Sequence, residues 1–209
     1  MAAGFDKNAE FIDILANIGF GYVEIGTVTP IAQDGNPKPR LFRLKEDNAL
    51  MNRMGFNNKG VDEVVKNIKK TTVKNIIIGG NIGKNKTTPN ELAHQDYLIC
   101  FEKLYDYVDY FVINVSSPNT PNLRELQEKD SLLKIIQTLE YHRNSQIPQK
   151  PIFLKIAPDL TENQLDEIIE VYQNSILEAL IISNTTIDYE VLKFNKKIAY
   201  DQKTGGISG

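Results

Sequence analysis

Apolar residues fall along this chain in two alternating periods. Runs that are apolar almost throughout read as buried strands: Tyr22-Val-Glu-Ile-Gly, Ile76-Ile-Ile-Gly-Gly, Tyr110-Phe-Val-Ile, Ile152-Phe-Leu and Ala179-Leu-Ile-Ile. Between them lie stripes with the i, i+3, i+4, i+7 spacing of amphipathic helices: Phe11-Ile12-Leu15-Ile18, Val61-Val64-Val65-Ile68, Leu132-Ile135-Ile136-Leu139 and Leu165-Ile168-Ile169-Tyr172. Residues 91 to 107 add a further helix-like run. Strand and helix in alternation predict a parallel sheet with helical crossovers, an α/β fold. Strands without polar alternation predict cover on both faces, as in a barrel or a doubly wound sheet. Helix starts are predicted at Thr88-Pro89, a cap followed by proline at the first helical position, and at Thr161 before Glu162 and Gln164.

One segment departs from this grammar. Residues 30 to 56 are too long for an ordinary connection and rich in turn signals such as Asp34-Gly35-Asn36-Pro37, while residues 40 to 44 alternate like a short strand. An excursion over one mouth of the barrel is expected there, of the kind that forms lids and ligand walls.

Each strand ends in polar residues: Thr27, Asn81, Asn114 with Ser116, Ser117 and Asn119, Lys155, and Ser183 with Asn184 and Thr185. Amides and hydroxyls gathered at strand ends face a ligand in such folds. The set contains no Asp, Glu, His or Cys, so it offers neither a metal site nor a carboxylate pair. His94 and His142 lie on helical stretches away from it. With the lysines Lys7 and Lys155, the inventory suits a flat heterocycle rich in carbonyls and ring nitrogens.

Composition narrows the surroundings. A formal net charge of −3 with interspersed signs gives no field for nucleic acid or an anionic membrane surface. Lys66, Lys69, Lys70 and Lys74 read as a solvated helix face. One cysteine, Cys100, rules out an intramolecular disulfide and suits a reducing compartment. No run approaches the length of a membrane span, so the chain is expected to be soluble and intracellular.

Nine stretches in order carry a resemblance: AAGFDKNAE at 2 to 10, EIGTVTP at 24 to 30, GNPKPRLFRL at 35 to 44, NRMGFNN at 52 to 58, NIGKNK at 81 to 86, NVSSPNT at 114 to 120, KIAPDL at 155 to 160, SNTT at 183 to 186 and TGGISG at 204 to 209. Together they closely resemble the class 2, quinone-linked dihydroorotate dehydrogenases. The resemblance implies a (β/α)8 barrel of pyrimidine synthesis that oxidises dihydroorotate to orotate, with FMN as cofactor and a quinone as electron acceptor. By the same resemblance Ala2, Ala3, Gly4, Phe5, Asp6, Lys7, Thr27, Asn81, Asn114, Lys155, Ser183 and Gly209 would meet FMN. Lys7, Asn52, Arg53, Met54, Gly55, Phe56, Asn114, Asn119, Asn184 and Thr185 would surround the substrate. Ser117 would be the catalytic base, where the cytosolic class has cysteine. A peripheral place on the cytoplasmic side of the cell membrane is implied as well.

Two departures qualify the match. Asn122 stands where these enzymes often have glycine after NTP. The 209 residues also fall short of the roughly 250 typical of a closed barrel. The chain therefore reads as one partial barrel domain over residues 1–209, with about six strands, the quinone-binding helical portion absent before Met1, and strands seven and eight absent after Gly209. On that reading the isolated piece is expected to be inactive and poor in FMN. Two other readings stand beside it: a barrel aldolase forming a Schiff base at Lys155, and a non-catalytic remnant that needs a complementary chain.

Overall fold

A computed structural model describes residues 1–202 and 205–209; Thr204 of the TGGISG stretch lies outside them. In chain order the elements are α1 (Ile12–Asn17), β1 (Tyr22–Val28), β2 (Leu41–Leu44), β3 (Ala49–Asn52), α2 (Val61–Ile68), β4 (Ile77–Ile82), α3 (Ala93–Leu104), β5 (Tyr110–Asn114), α4 (Lys129–Arg143), β6 (Ile152–Lys155), α5 (Glu162–Gln173), β7 (Ala179–Ile181), α6 (Lys196–Asp201) and β8 (Gly206–Ser208). Strands β1, β4, β5, β6 and β7 pair in that order, every pair parallel. Helices α2, α3, α4 and α5 make the crossovers between them. This is a TIM-barrel-type α/β sheet that does not close among the described residues: β7 pairs only with β6. Five strands are hydrogen-bonded into the sheet. The place of a sixth is held by residues 1–6, which run beside β1 through Glu24 N–H to Met1 O (2.9 Å), Gly4 N–H to Gly26 O (2.8 Å) and Gly26 N–H to Asp6 O (3.1 Å).

The helical stripes bury as their spacing requires on α2 and α4 but only in part on α1 and α5: on α1 Ile12 and Leu15 are inside, while Phe11 and Ile18 are 44% and 67% exposed. The four stripe residues of α4, Leu132, Ile135, Ile136 and Leu139, are inside, and Val61, Val64 and Ile68 of α2 join them. On α5 the buried residues are Ile168 and Val171, whereas Leu165 and Ile169 stay 37% and 44% exposed. Thr161 caps α5 in a reciprocal box with Gln164. Thr88 does not cap. Pro89 precedes a short 3-10 turn, Asn90–Leu92, that leads into α3, and the Thr88 carbonyl instead accepts from the buried Lys84 ammonium at 2.6 Å.

Burial on both faces holds for β1, β4 and β5 and fails across the rest of the sheet. Every residue of β1 after Tyr22 is buried, yet β6 alternates and β7 is only half-buried along its length. A strand paired on one side has fewer neighbours to exclude water, so the apolar run Ala179-Leu-Ile reads as more buried than it is. The core centres on Phe101, Tyr105 and Phe111, with ring centroids 4.4 to 5.9 Å apart; each large side chain so buried contributes roughly 1.5–3 kcal/mol.

The excursion after β1 holds the expected short strand, β2, and a second that was not anticipated, β3. Strands β2 and β3 pair antiparallel, and β8 adds to β3 from the far end of the chain. Gly206 permits that docking: a Cβ there would lie 1.8 Å from Thr185 Oγ1. Asn122, with φ 55°, occupies the left-handed region where glycine is freest and asparagine next most tolerated, which accounts for the exchange at this position.

Candidate functional site

The carboxyl ends of the parallel strands, the N-terminal segment and the small sheet border a cleft of about 650 Å³. Ala3, Gly4 and Lys7 line it from the N-terminal segment, Thr27 from β1, and Asn52, Met54, Gly55 and Phe56 from the end of β3 and the residues after it. From the sheet come Asn114, Ser117, Asn119 and Lys155, and beyond β7 come Ser183, Asn184 and Thr185. Residues distant in sequence thus meet as the strand-end pattern requires.

Other expected residues lie elsewhere. Asn81 is fully buried one layer beneath the wall. Asp6 turns inward, where its carboxylate accepts from the backbone N–H of Glu10 (2.7 Å) and Phe11 (2.9 Å) and fixes the entry to α1. Phe5 is 61% exposed, Arg53 donates to Gln202 O at 3.3 Å, and Gly209 borders a separate groove with Arg43, Lys45 and Asn48. Ala2 is not on the wall. Leu41, Pro158, Thr186, Ile207 and Ser208 line the cleft without having been anticipated. Each falls inside one of the nine stretches, but none carries a charge or amide that would single it out.

Beneath the wall runs a hydrogen-bond chain with a fixed direction, and it starts at a carboxylate the apolar pattern had hidden. Glu24, 6% exposed in the middle of β1, accepts from Asn81 Nδ2 at 2.8 Å and from Tyr110 OH at 3.3 Å. With its amide nitrogen so held, Asn81 turns Oδ1 toward Thr27 Oγ1, which donates to it at 2.6 Å, and toward Asn114 Nδ2 at 3.1 Å. Asn114 Nδ2 also donates to Thr27 Oγ1 (2.8 Å), leaving Asn114 Oδ1 to accept from the Ser116 amide (3.2 Å) and hydroxyl (3.0 Å). One buried anion therefore sets which way two amides face. Gly79 makes room for it: a Cβ there would lie 2.1 Å from the Tyr110 ring that reaches Glu24.

Two cations border the cleft. Burial, aided by the Arg40 charge, lowers the pKa of Lys7 from the ordinary lysine value to about 8, and its ammonium donates to Asn57 Oδ1 at 2.7 Å. Burial also lowers the pKa of Lys155, against the pull of the Glu24 carboxylate. Ser117 Oγ accepts from the Asn119 N–H at 3.3 Å. Asn119 Nδ2 donates to Asn52 O and Oδ1 at 3.2 and 3.1 Å, while Asn119 Oδ1 and Thr120 Oγ1 are buried without a protein partner. Among the described residues no three His, Cys, Asp or Glu side chains gather as a metal site.

Cleft-lining polar groups at the ends of parallel strands define a TIM-barrel-type protein with its site in the usual place for that fold. The family model for dihydroorotate dehydrogenase matches residues 1–209, and the chain belongs to that family. A quinone-dependent dihydroorotate dehydrogenase of Christiangramia forsetii is 56% identical over 209 residues, 100% of this chain and 60% of that protein. One of Acinetobacter baylyi is 47% identical over 213 residues, covering 63% of its length. A crystal structure of DHODH from Eimeria tenella in complex with ferulenol superposes with a TM-score of 0.87 at 38% identity, over 100% of this chain and 61% of that one. The chain thus spans about three fifths of the length of these relatives.

Proposed function

We propose that the cleft holds dihydroorotate against the ring of FMN and that this chain carries the oxidation of dihydroorotate to orotate, with a quinone as the final acceptor. The observation that carries the reading is the convergence of Ser117, Lys155, Asn114, Asn119 and Asn184 on one cleft in a member of this family. The residues present fit such a pair of ligands. Asn119 Oδ1 is a buried acceptor that an imide N–H would satisfy, and two partly desolvated lysines suit an electron-rich ring and a carboxylate.

Ala3, Gly4, Lys7, Thr27, Asn114, Lys155 and Ser183 would hold the flavin, with Asn81 fixing Thr27 and Asn114 from below. Bound there, the flavin ring would supply the two-electron acceptor for C6 of the substrate. Lys7, Asn52, Asn114, Asn119, Asn184 and Thr185 would orient the pyrimidine ring through paired donors and acceptors. Ser117 Oγ would take the C5 proton. The serine's own hydroxyl proton would have to leave as the C5 proton arrives, and the Asn119 N–H, 3.3 Å from Oγ, would ease that loss by stabilising alkoxide character on Oγ. Thr120, on the same loop with its hydroxyl buried and unpaired, would pass that proton outward together with a water. Turnover should then rise with pH, because a serine hydroxyl is a weak base at neutrality.

A lipid-soluble quinone acceptor accords with a peripheral place on the cytoplasmic side of the membrane, and no helix among the described residues is long and apolar enough to cross one. Membership of the family weighs against the Schiff-base aldolase, which needs a carbonyl substrate at Lys155. In the FMN-loaded protein, Ser117→Ala is expected to bind orotate as the wild type does but to slow bleaching of flavin absorbance by dihydroorotate by about two to four decades. Bleaching at the wild-type rate in a single turnover would refute the assignment of Ser117.

A further inference from the structure

Three loops bring the side chains of the cleft together: residues 115–120 after β5, 156–161 after β6 and 182–188 after β7. Among the described residues no backbone hydrogen bond joins the first of these loops to the third. They are joined by side chains instead, mostly from behind the wall. Arg124, on the 3-10 turn Leu123–Gln127, donates from Nε to Ser116 O at 3.0 Å, from Nη2 to Thr185 O at 3.1 Å and from Nη1 to Asp159 Oδ2 at 2.8 Å. Its three nitrogens thus end on three different loops. Asp159 extends the tie: its carboxylate accepts from Thr186 Oγ1 and from the Ile187 N–H at 3.1 and 3.2 Å. Gln127 of the same turn accepts from the Ala157 N–H at 2.9 Å.

We infer that Arg124 and Asp159 form a positioning clamp that fixes Ser117 relative to Asn184 and Thr185. Neither residue lines the cleft, so each acts through the loops it holds. An exposed ion pair contributes little by itself. This one is about one fifth exposed, and its guanidinium also satisfies two carbonyls in a planar fork that a lysine cannot reproduce. Each carbonyl belongs to a residue at or beside a cleft residue: Ser116 precedes Ser117, and Thr185 follows Asn184. Apart from Arg124, a bond from Asn184 Nδ2 to Ser116 Oγ, at 3.0 Å, links these two loops. Without the clamp that single side-chain bond would be left to hold the first loop to the third, and a displacement of about 1 Å in a reacting group costs rate steeply. The clamp itself is a property of the loops; only its consequence for ligand binding rests on the function proposed above.

The test compares Arg124→Lys, which keeps the charge and loses the fork, with the wild type by amide hydrogen exchange. Exchange is expected to accelerate about tenfold at Asn119 and Thr185 while Phe111 and Leu154 in the strands stay protected and the urea midpoint hardly moves. In Arg124→Ala, added methylguanidinium should restore slow exchange at those loop amides, and methylammonium should not. Unchanged loop exchange in Arg124→Lys, acceleration shared equally with the strands, or equal rescue by methylammonium would overturn the clamp. With FMN present, orotate should bind Arg124→Lys about tenfold more weakly than wild type. Loop-specific acceleration in Arg124→Lys, beside a wild type that binds no orotate, would sustain the clamp and sink the proposed ligand.

Discussion

Truncating Asn114 probes the directional network under the cleft. The residue is 3% exposed, and its amide makes four hydrogen bonds. In Asn114→Ala, Thr27 Oγ1 and Asn81 Oδ1 remain paired with each other, and Ser116 Oγ keeps the bond from Asn184. The Ser116 N–H and hydroxyl both lose their acceptor; the hydroxyl can rotate, whereas the N–H cannot and is left stranded in a residue with no exposed surface. Stranding one buried donor costs about 1–3 kcal/mol, and the space left by the amide adds about 1 kcal/mol, so the loss should be about 2–4 kcal/mol. For a chain of this length that is a drop in melting temperature of about 5–15 °C. Asn114→Asp keeps an acceptor for Ser116 but turns a carboxylate oxygen on Asn81 Oδ1. Asn81 cannot flip to relieve the contact while its nitrogen is held by Glu24. The aspartate variant should therefore be at least as unstable as the alanine variant at pH 7 and recover partly in mild acid. Urea denaturation followed by circular dichroism measures both. A loss below about 1 kcal/mol in Asn114→Ala, or an aspartate variant milder than alanine at neutral pH, would refute the network's polarity.

Lys7 sets a pH dependence. Its pKa in the folded chain, about 8, lies below that of an unfolded lysine, so between these two values the unfolded state binds more protons and this group makes stability rise with pH. Affinity for an anion runs the other way: orotate binding should weaken as pH climbs through about 8 and Lys7 loses its proton, while Lys7→Arg removes that inflection; a flat profile by calorimetry up to pH 9.5 would contradict it. Of the ligand amides, Asn52→Ala and Asn119→Ala should each weaken orotate by about 1–3 kcal/mol, and unchanged affinity in both would mean the pyrimidine ring lies elsewhere in the cleft.

The sequence alone determined the plan of this protein. Alternating periods specify strands and crossover helices because a helix stripe and a buried strand need different spacings of apolar residues, and both spacings are local. The turn-rich excursion, the cap at Thr161 and the polar strand ends were legible for the same reason: each depends on a few adjacent residues. What the tertiary structure decided depends on residues far apart. Thr88 looks like a cap but serves Lys84, because the loop before α3 closes over that ammonium. Asn81 and Asn114 both stand near strand ends in the sequence, yet the register sets Asn81 beside Val112, two residues short of Asn114, which sinks it beneath the cleft and gives it to Glu24. Glu24 itself reads as an interruption in an apolar strand until Asn81 and Tyr110, 57 and 86 residues away, converge on it. Arg124 lies in an unremarkable turn, and only the parallel register of β5, β6 and β7 brings three loops within reach of one guanidinium. Polar partners are chosen by distance in space and by the cost of leaving a buried group unpaired, and neither is written in the spacing of residues along the chain.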